Sequence, residues 1–438
     1  MIAANQQERV DVDDMRAAWL VLSGPERREG FALLNHQQAE ELFLSLPTPE
    51  QADLLRSLLP HERRLWLRLL APDDAADVIQ DVDPELRPAM LALLDDAARR
   101  EVTALLAYKE DVAGGLMSTR FARLRPDMTV DEAIAYLRRQ EGVETLYYAY
   151  VLDAEQRLQG VVSLRDLFVA KPHAVVRDIM TTDVVTAPEA MDQEAVSRLI
   201  ADNKLIAVPV VDAERRMKGI ITVDDIVDVV REEAGEDIQK VGGTEALSGP
   251  YLSVHITEMI KKRAGWLTVL FVGEMLTASA MSYFEKEIER AVVLALFVPL
   301  IISSGGNSGS QASTLIIRAL ALGEVRLADW PRVLKRELVS GASLGIVLGL
   351  IGFLRVLAWA LVFHMYGAHF VLIAITVGVS LVGVVLWGTV SGSMLPFILR
   401  RVGFDPASAS APFVATLIDV TGLIIYFSAA SLFFLRAL

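Results

Sequence analysis

PFVATLIDVTGLIIYFSAASLFFL, residues 412–435, runs for 24 residues with a single charged side chain, Asp419. At 1.5 Å per residue such a segment makes a helix of about 36 Å, long enough to cross the ~30 Å hydrocarbon layer of a bilayer. Upstream, four further runs read the same way: Ala264 to Phe284, Val292 to Leu322, Leu338 to Phe363 and His369 to Leu399. The C-terminal part of the chain is therefore expected to be an α-helical transmembrane bundle of five spans.

Charge divides the 438 residues at the same place. Residues 1–260 carry 47 acidic and 28 basic side chains, net −19; residues 261–438 carry 9 and 14, net +5. An acidic surface of that size argues against nucleic-acid partners and for cations. Lys and Arg collect in three flanks that share one side of the membrane: Lys261, Lys262 and Arg263 before the first span; Arg326, Arg332, Lys335 and Arg336 between the second and third; Arg400 and Arg401 between the fourth and fifth. Because cytoplasmic loops hold the excess of basic residues, this pattern places the first 260 residues in the cytoplasm and the C-terminus outside. The opening MIAANQQERVDVDD has neither an apolar core nor a cleavage pattern and does not read as a signal peptide. With no cysteine, disulfides and thiolate metal sites are excluded.

The acidic half has internal order. AYVLDAEQRLQGVVSLRDLF, residues 149–168, aligns without a gap on VPVVDAERRMKGIITVDDIV, residues 208–227, pairing Asp153 with Asp212 and Gly160 with Gly219. Each copy reads as a β-branched strand, a polar turn, a second strand and a helix with an acidic first turn. The lead-in segments GGLMST and RDIMTT also match. This repeat resembles a tandem pair of α/β CBS domains. The resemblance implies adenine-nucleotide binding, ATP included, at Ser163 and Asp166 in one copy and Thr222 and Asp225 in the other. A hydroxyl at a helix start with a carboxylate three residues on suits ribose hydroxyls and a phosphate at the helix N-terminus; the same pair equally serves as a helix cap. Before the repeat, Pro47, Pro60, Pro72 and Pro84 recur at spacings of 13, 12 and 12, each followed by an acidic residue and an apolar stripe, the pattern of an all-α solenoid with proline in successive first turns.

Two membrane segments carry the chemistry. PLIISSGGNSGSQASTLIIR, residues 299–318, puts Pro299, Gly305, Gly306, Asn307, Gly309 and Gln311 into an apolar run. Such a cluster is expected to break the helix at Gly305 to Gln311 and to free carbonyls along an ion path, with close packing through small residues as the competing explanation. Asp419 should face the bundle interior, since a lipid-facing carboxylate costs several kcal/mol. Glu274 is a second intramembrane carboxylate, expected to pair with backbone or with Arg355, the one cation inside a span. The six histidines form no HExxH, which excludes a zinc protease of the usual kind; His364 and His369 sit in an inter-span turn. An anion channel would want cations at its core, whereas this core holds carboxylates.

A helical N-domain, a CBS pair, a linker, PLIISSGGNSGSQ and LIDVTGLIIYFS, in that order, resemble the MgtE family of magnesium channels and transporters along essentially the whole chain. The resemblance implies a helical domain over 1–112, CBS domains over 113–172 and 173–237, a connecting plug helix over 238–263 (its helical part from Ala246 to Lys262) and a membrane domain over 264–438. It implies no enzyme activity, and a homodimer in the bilayer of the bacterial inner membrane, with Mg²⁺ both transported and regulatory. Asp419 matches the pore metal ligand, with Pro299, Gly305, Gly306, Asn307, Gly309, Gln311, Ala415 and Thr416 lining the pore. Cytosolic Mg²⁺ would be sensed at Asp73, Asp77, Asp192, Glu194, Asp225, Asp228, Glu233, Glu236 and Asp237; Lys204 stands where a carboxylate is expected. The alternative is transport of another divalent cation, Mn²⁺ or Co²⁺, with the CBS pair sensing mainly nucleotide.

Overall fold

The structure, a computed structural model, describes residues 11–435 apart from Leu20, Glu141, Ser248, Pro250 and Ser253. The chain forms two compact units, residues 1–233 and 234–438.

The first unit opens with eight short helices: α1 (Val12–Ala18), α2 (Gly24–Leu33), α3 (His36–Ser45), α4 (Thr48–Ser57), α5 (Pro60–Leu67), α6 (Pro72–Asp81), α7 (Arg87–Leu91) and α8 (Asp96–Leu105). Their starts are written locally. Ser23 with Glu26 and Asn35 with Gln38 form reciprocal capping boxes, and Asp95 accepts from the amides of Ala97 and Ala98. Pro60 and Pro72 occupy first turns, as the spacing predicts; Pro47 and Pro84 lie instead ahead of α4 and α7, whose first-turn prolines are Pro49 and Pro88. Leu42, Phe43, Leu55, Leu67 and Ile79 are fully buried, with the Trp66 ring edge-on to Phe31 at 5.0 Å.

Next come α9 (Ala113–Leu116), β1 (Arg123–Leu124), α10 (Val130–Leu137), β2 (Tyr148–Leu152), β3 (Leu158–Ser163), α11 (Leu164–Val169), α12 (Val176–Ile179), β4 (Ala187–Pro188), α13 (Gln193–Asn203), β5 (Ala207–Val211), β6 (Met217–Thr222) and α14 (Val223–Val241). The two three-stranded sheets, β1-β2-β3 and β4-β5-β6, repeat the same pairings, parallel then antiparallel. The aligned residues explain the repeat. Asp153 Oδ1 accepts from the amides of Glu155 and Arg157, and Asp212 Oδ1 from those of Glu214 and Arg216, closing both hairpins. Each lead-in crosses to the other copy: Ser118 bridges Ile220, and Thr181 bridges Val161. A Cβ on Gly219 would lie 2.5 Å from the Ser118 carbonyl, and one on Gly160 2.8 Å from that of Thr181, so only glycine admits the crossing. Apolar residues of the helical domain and of the second CBS copy, among them Ile79, Leu105, Val196 and Ile221, share one core.

The second unit holds α15 (Ile256–Tyr283), α16 (Glu285–Arg290), α17 (Val298–Ala321, after a 3-10 turn at Val292–Phe297), α18 (Trp330–Phe363), α19 (Phe370–Val402) and α20 (Ala411–Ala430). Among the described residues five helices are long and apolar enough to cross a membrane. The expected break at Gly305 to Gln311 is absent: α17 is continuous. Its glycines serve packing. A Cβ on Gly388 would lie 2.4 Å from the Gly305 carbonyl, and one on Gly392 2.1 Å from that of Gly309, so α17 and α19 touch backbone to backbone. Gly345 and Gly349 of α18 meet Val382 and Gly378 of α19 likewise. Ser308 Oγ and Thr389 Oγ1 share a 2.7 Å bond and Tyr426 donates to the Leu294 carbonyl at 2.8 Å, so these buried hydroxyls are satisfied internally.

Of the expected helix over Ala246 to Lys262, only Ile256 to Lys262 is helical, as the start of α15. The helix ahead of the membrane is α14, which ends at Val241; Gly243 follows at φ +76°, and no described residue from 242 to 255 is helical. Lys261 and Lys262 then belong to the first turns of α15, where Lys262 donates to the Ala246 carbonyl.

Candidate functional site

In the membrane unit, the residues predicted to line an ion path sort by helix face. Pro299, Asn307 and Gln311 lie on the open side of α17 with Ser303, Thr314 and Arg318, at intervals of three or four residues. Gly305, Gly306 and Gly309 lie on the packed side. A polar ridge on an apolar helix, uncovered by the other described residues, is costly against lipid and stable only against water or protein.

Asp419 sits half-buried on α20 beside that helix. Its carboxyl meets Glu274 of α15, and the approach is possible because the neighbouring Gly273 is bare: a Cβ there would lie 2.6 Å from Thr416 Cγ2. Thr416 donates to the Pro412 carbonyl at 3.0 Å, and Ala415 packs against Gly306. Arg355 partners neither carboxylate, which corrects the expected pairing. Its guanidinium donates to Tyr366 Oη at 3.2 Å and lies 4.7 Å from the Trp359 ring centre, because it points toward the far end of α18. The unit thus gathers two intramembrane carboxylates on α15 and α20 beside the polar ridge of α17.

Lys240, near the end of α14, pairs with both Glu236 and Asp405, the latter at 2.7 Å, and the two carboxylates push its pKa up although burial opposes them. Asp405 also caps the 406–408 turn ahead of α20 by accepting from the Ala407 amide. Glu236, expected among the sensor residues, is therefore committed to an ion pair.

In the first unit the expected sensor residues separate. Asp73 and Asp77 each feel the charge of Asp225. Asp73, 8% exposed, is raised to about 7, chiefly by burial and then by Asp74 and other carboxylates; Asp77 is raised well above the usual range for the same reasons, and Asp81 and Asp225 to about 6. Asp73, Asp77 and Asp81 follow at i, i+4 and i+8 along α6, and this acidic edge feels the charges of Asp224, Asp225 and Glu232 of α14 and of Glu144 and Glu110, with Arg56 opposing them at Asp81. The remaining predicted residues lie elsewhere. Asp192 caps α13, Glu194 pairs with Arg198, Asp228 pairs with Arg231, and Glu233 accepts from Gln193 Nε2 at 2.6 Å. Asp237 lies one turn further along α14. Lys204 ends α13 in the left-handed conformation, φ +53°. Among the described residues no three Asp, Glu or His side chains enclose a metal-sized site. Sequence reading missed Asp74, Asp81, Asp224, Glu144 and Glu232; the four-residue spacing in PDDAADVIQD was the available signal for Asp81.

Both hydroxyl–carboxylate pairs form, and within themselves. Ser163 Oγ donates to Asp166 Oδ2 at 2.6 Å and accepts from its amide; Thr222 Oγ1 donates to Asp225 Oδ2 at 2.7 Å. Ser163 therefore caps α11, while Asp225 also accepts from the Thr222 amide, and the two pairs differ in access. Asp166 is exposed, whereas Thr222 is 5% exposed and Asp225 is half-buried and feels the charge of Asp74 on α6.

The profile of a family described as MgtE, divalent cation transporter, matches residues 298–429; that of the MgtE intracellular N domain matches 10–111, and that of the CBS domain matches 111–173 and 176–232. The chain is 43% identical over 429 residues to the magnesium transporter MgtE of Thermus thermophilus, covering 97% of this chain and 93% of that protein. To the magnesium transporter MgtE of Enterococcus faecalis it is 32% identical, covering 94% and 98%. A crystal structure of the cytosolic domain of an Mg²⁺ channel MgtE in complex with ATP is 44% identical, covering 51% of this chain and 91% of that one, with a TM-score of 0.47.

Proposed function

The chain belongs to the MgtE family of divalent cation transporters, integral membrane proteins rather than enzymes, and from that premise we propose that it is a dimeric Mg²⁺ channel closed by cytosolic Mg²⁺. One observation carries the reading: an uncovered polar ridge on α17, Pro299 to Arg318, next to an intramembrane carboxylate at Asp419. A second copy that presents the same ridge across a two-fold axis encloses a polar path and brings two Asp419 side chains to it. Mg²⁺ prefers oxygen ligands in octahedral array and gives up its waters reluctantly. Asp419, Asn307 and Gln311 therefore hold the hydrated ion by hydrogen bonds from its water shell. Backbone carbonyls of 303–307 take no part, because α17 is unbroken and uses them. The basic flanks put the first unit in the cytoplasm and the C-terminus outside. Transport of Mg²⁺ into a magnesium-transport-deficient strain tests the reading; growth restored by Mn²⁺ or Co²⁺ supply but never by Mg²⁺ would move it to the alternative cation.

The acidic edges of α6 and α14 supply the gate's sensor. Carboxylates crowded in a half-dry seam repel one another until a divalent ion or protons neutralise them, so Mg²⁺ favours the closed seam. The sign follows from the raised pKa values. The folded seam binds protons more tightly than the unfolded chain does, so its contribution is present in full below about pH 4 and is lost as pH rises toward 7. In chelator, the melting temperature of the full-length protein should fall across that window. Added Mg²⁺ should raise it more at pH 8 than at pH 5, by about 5 °C for each 1–2 kcal/mol regained. Equal Mg²⁺ shifts at both pH values would refute the sensor.

Nucleotide binding is assigned to the open copy. Asp166→Ala should weaken ATP binding at least tenfold in equilibrium dialysis, while Asp225→Ala, inside the closed seam, should change it less than threefold. The reverse order would refute the assignment.

A further inference from the structure

We propose that the cytosolic end of α18 is a binding site for an anionic phospholipid. The side chains of Arg332, Lys335, Arg336, Val339 and Ser340 line one open groove of about 510 Å³, chiefly with their apolar atoms. They recur at i, i+3, i+4, i+7 and i+8, so they form a single helix face. The opposite face, Gly341, Gly345, Gly349 and Gly352, is committed to α19. The groove face is uncovered, and toward the membrane it continues into exposed Val339, Ile346, Val347, Leu350 and Leu354.

Depth and charge select the ligand. From Leu338 to Phe363 the helix already spans about 39 Å, more than the ~30 Å of hydrocarbon. The hydrocarbon therefore ends near Leu338, and Lys335 and Arg336 lie in the headgroup layer. Arg332 is paired with Asp329 at 2.8 Å and Glu337 stands beside Arg336, yet Lys335 and Arg336 form no ion pair among the described residues. From Arg326 to Glu337 four cations face two carboxylates, a net positive charge at phosphate depth. A phosphodiester with a second anionic or hydroxylated group meets the cations and the Ser340 hydroxyl, while an acyl chain follows Val339, Ile346 and Leu350. A zwitterionic lipid satisfies the apolar ridge but brings its own cation to the groove, and a free phosphate satisfies the cations but leaves the ridge bare.

Full-length protein in detergent is titrated with phosphatidylglycerol, phosphatidylcholine and glycerol 3-phosphate, and adducts are counted by native mass spectrometry. Phosphatidylglycerol should bind at least tenfold more tightly than phosphatidylcholine. The triple variant R332Q/K335Q/R336Q should erase that preference. Lys335→Gln alone, which leaves the rest of the basic flank in place, should reduce it about threefold, and K261Q/R263Q, cations of another basic flank on the same side and outside the groove, should keep it. The proposal is overturned by an unchanged preference in both groove variants, by an equal loss in K261Q/R263Q, or by full competition by glycerol 3-phosphate, which makes the groove a free-phosphate site. Loss of adducts only on dimerisation would assign this face to a second copy and overturn it as well.

Discussion

Asp419→Ala should reduce Mg²⁺ uptake into a transport-deficient strain, or into vesicles containing the purified protein, at least a hundredfold at unchanged protein level. Two unit charges 4 Å apart are worth about 4 kcal/mol at the effective dielectric of a protein surface, and most of this interaction is lost when the carboxylate goes. A loss of ~3 kcal/mol is already about a hundredfold in occupancy. Asp419→Asn keeps the volume and the hydrogen-bonding oxygen, so the protein should fold and reach the membrane while transport still fails. Glu274, whose carboxyl meets Asp419 from α15, should matter less: Glu274→Gln removes the second charge but leaves the first. Transport by Asp419→Ala at the parental rate would end the pore assignment.

Gly392→Ala should be the most damaging single methyl in the membrane unit. Its Cβ would lie 2.1 Å from the Gly309 carbonyl and 2.7 Å from that carbonyl's carbon, so relief requires α17 and α19 to part rather than a side chain to turn. Overpacking of a close-packed core costs about 1–3 kcal/mol, more when the obstacle is backbone. The same displacement moves the polar ridge of α17. Melting in detergent should drop by about 5–10 °C, and transport should fall with it. Gly235→Ala is the control: nothing lies within 4 Å of its added Cβ, and alanine favours the helix. A Gly392→Ala protein that melts like the parent would mean that α17 and α19 do not touch backbone to backbone.

Local patterns were read correctly where local physics decides. Five apolar runs became five helices because backbone groups in a bilayer have no other partner. The twenty-position repeat became two like sheets, with Asp153 and Asp212 closing equivalent turns and Gly160 and Gly219 admitting equivalent crossings. Where a segment has two possible neighbours, local pattern does not decide between them. SSGGNSG is as compatible with a broken helix as with a packed one, and Gly388 and Gly392, some 80 residues away, turn it into the second. YLSVHITEMIKK has helix-forming residues, but the helix ahead of the membrane is the extension of α14, and the chain turns at Gly243 before α15 begins.

Taken alone, then, the sequence determined the number of spans, the order of the domains, the repeat and the single carboxylate of the last helix, since each depends on hydropathy or spacing over a few dozen residues. The tertiary structure alone decided which carboxylates meet. Asp419 finds Glu274 across 145 positions through the bare Gly273, Asp73 and Asp77 find Asp225 between α6 and α14, and Asp192, Glu194 and Asp228 are drawn into caps and ion pairs of their own. Charge–charge coupling falls off over a few ångströms, and such distances are set by packing rather than by any interval along the chain.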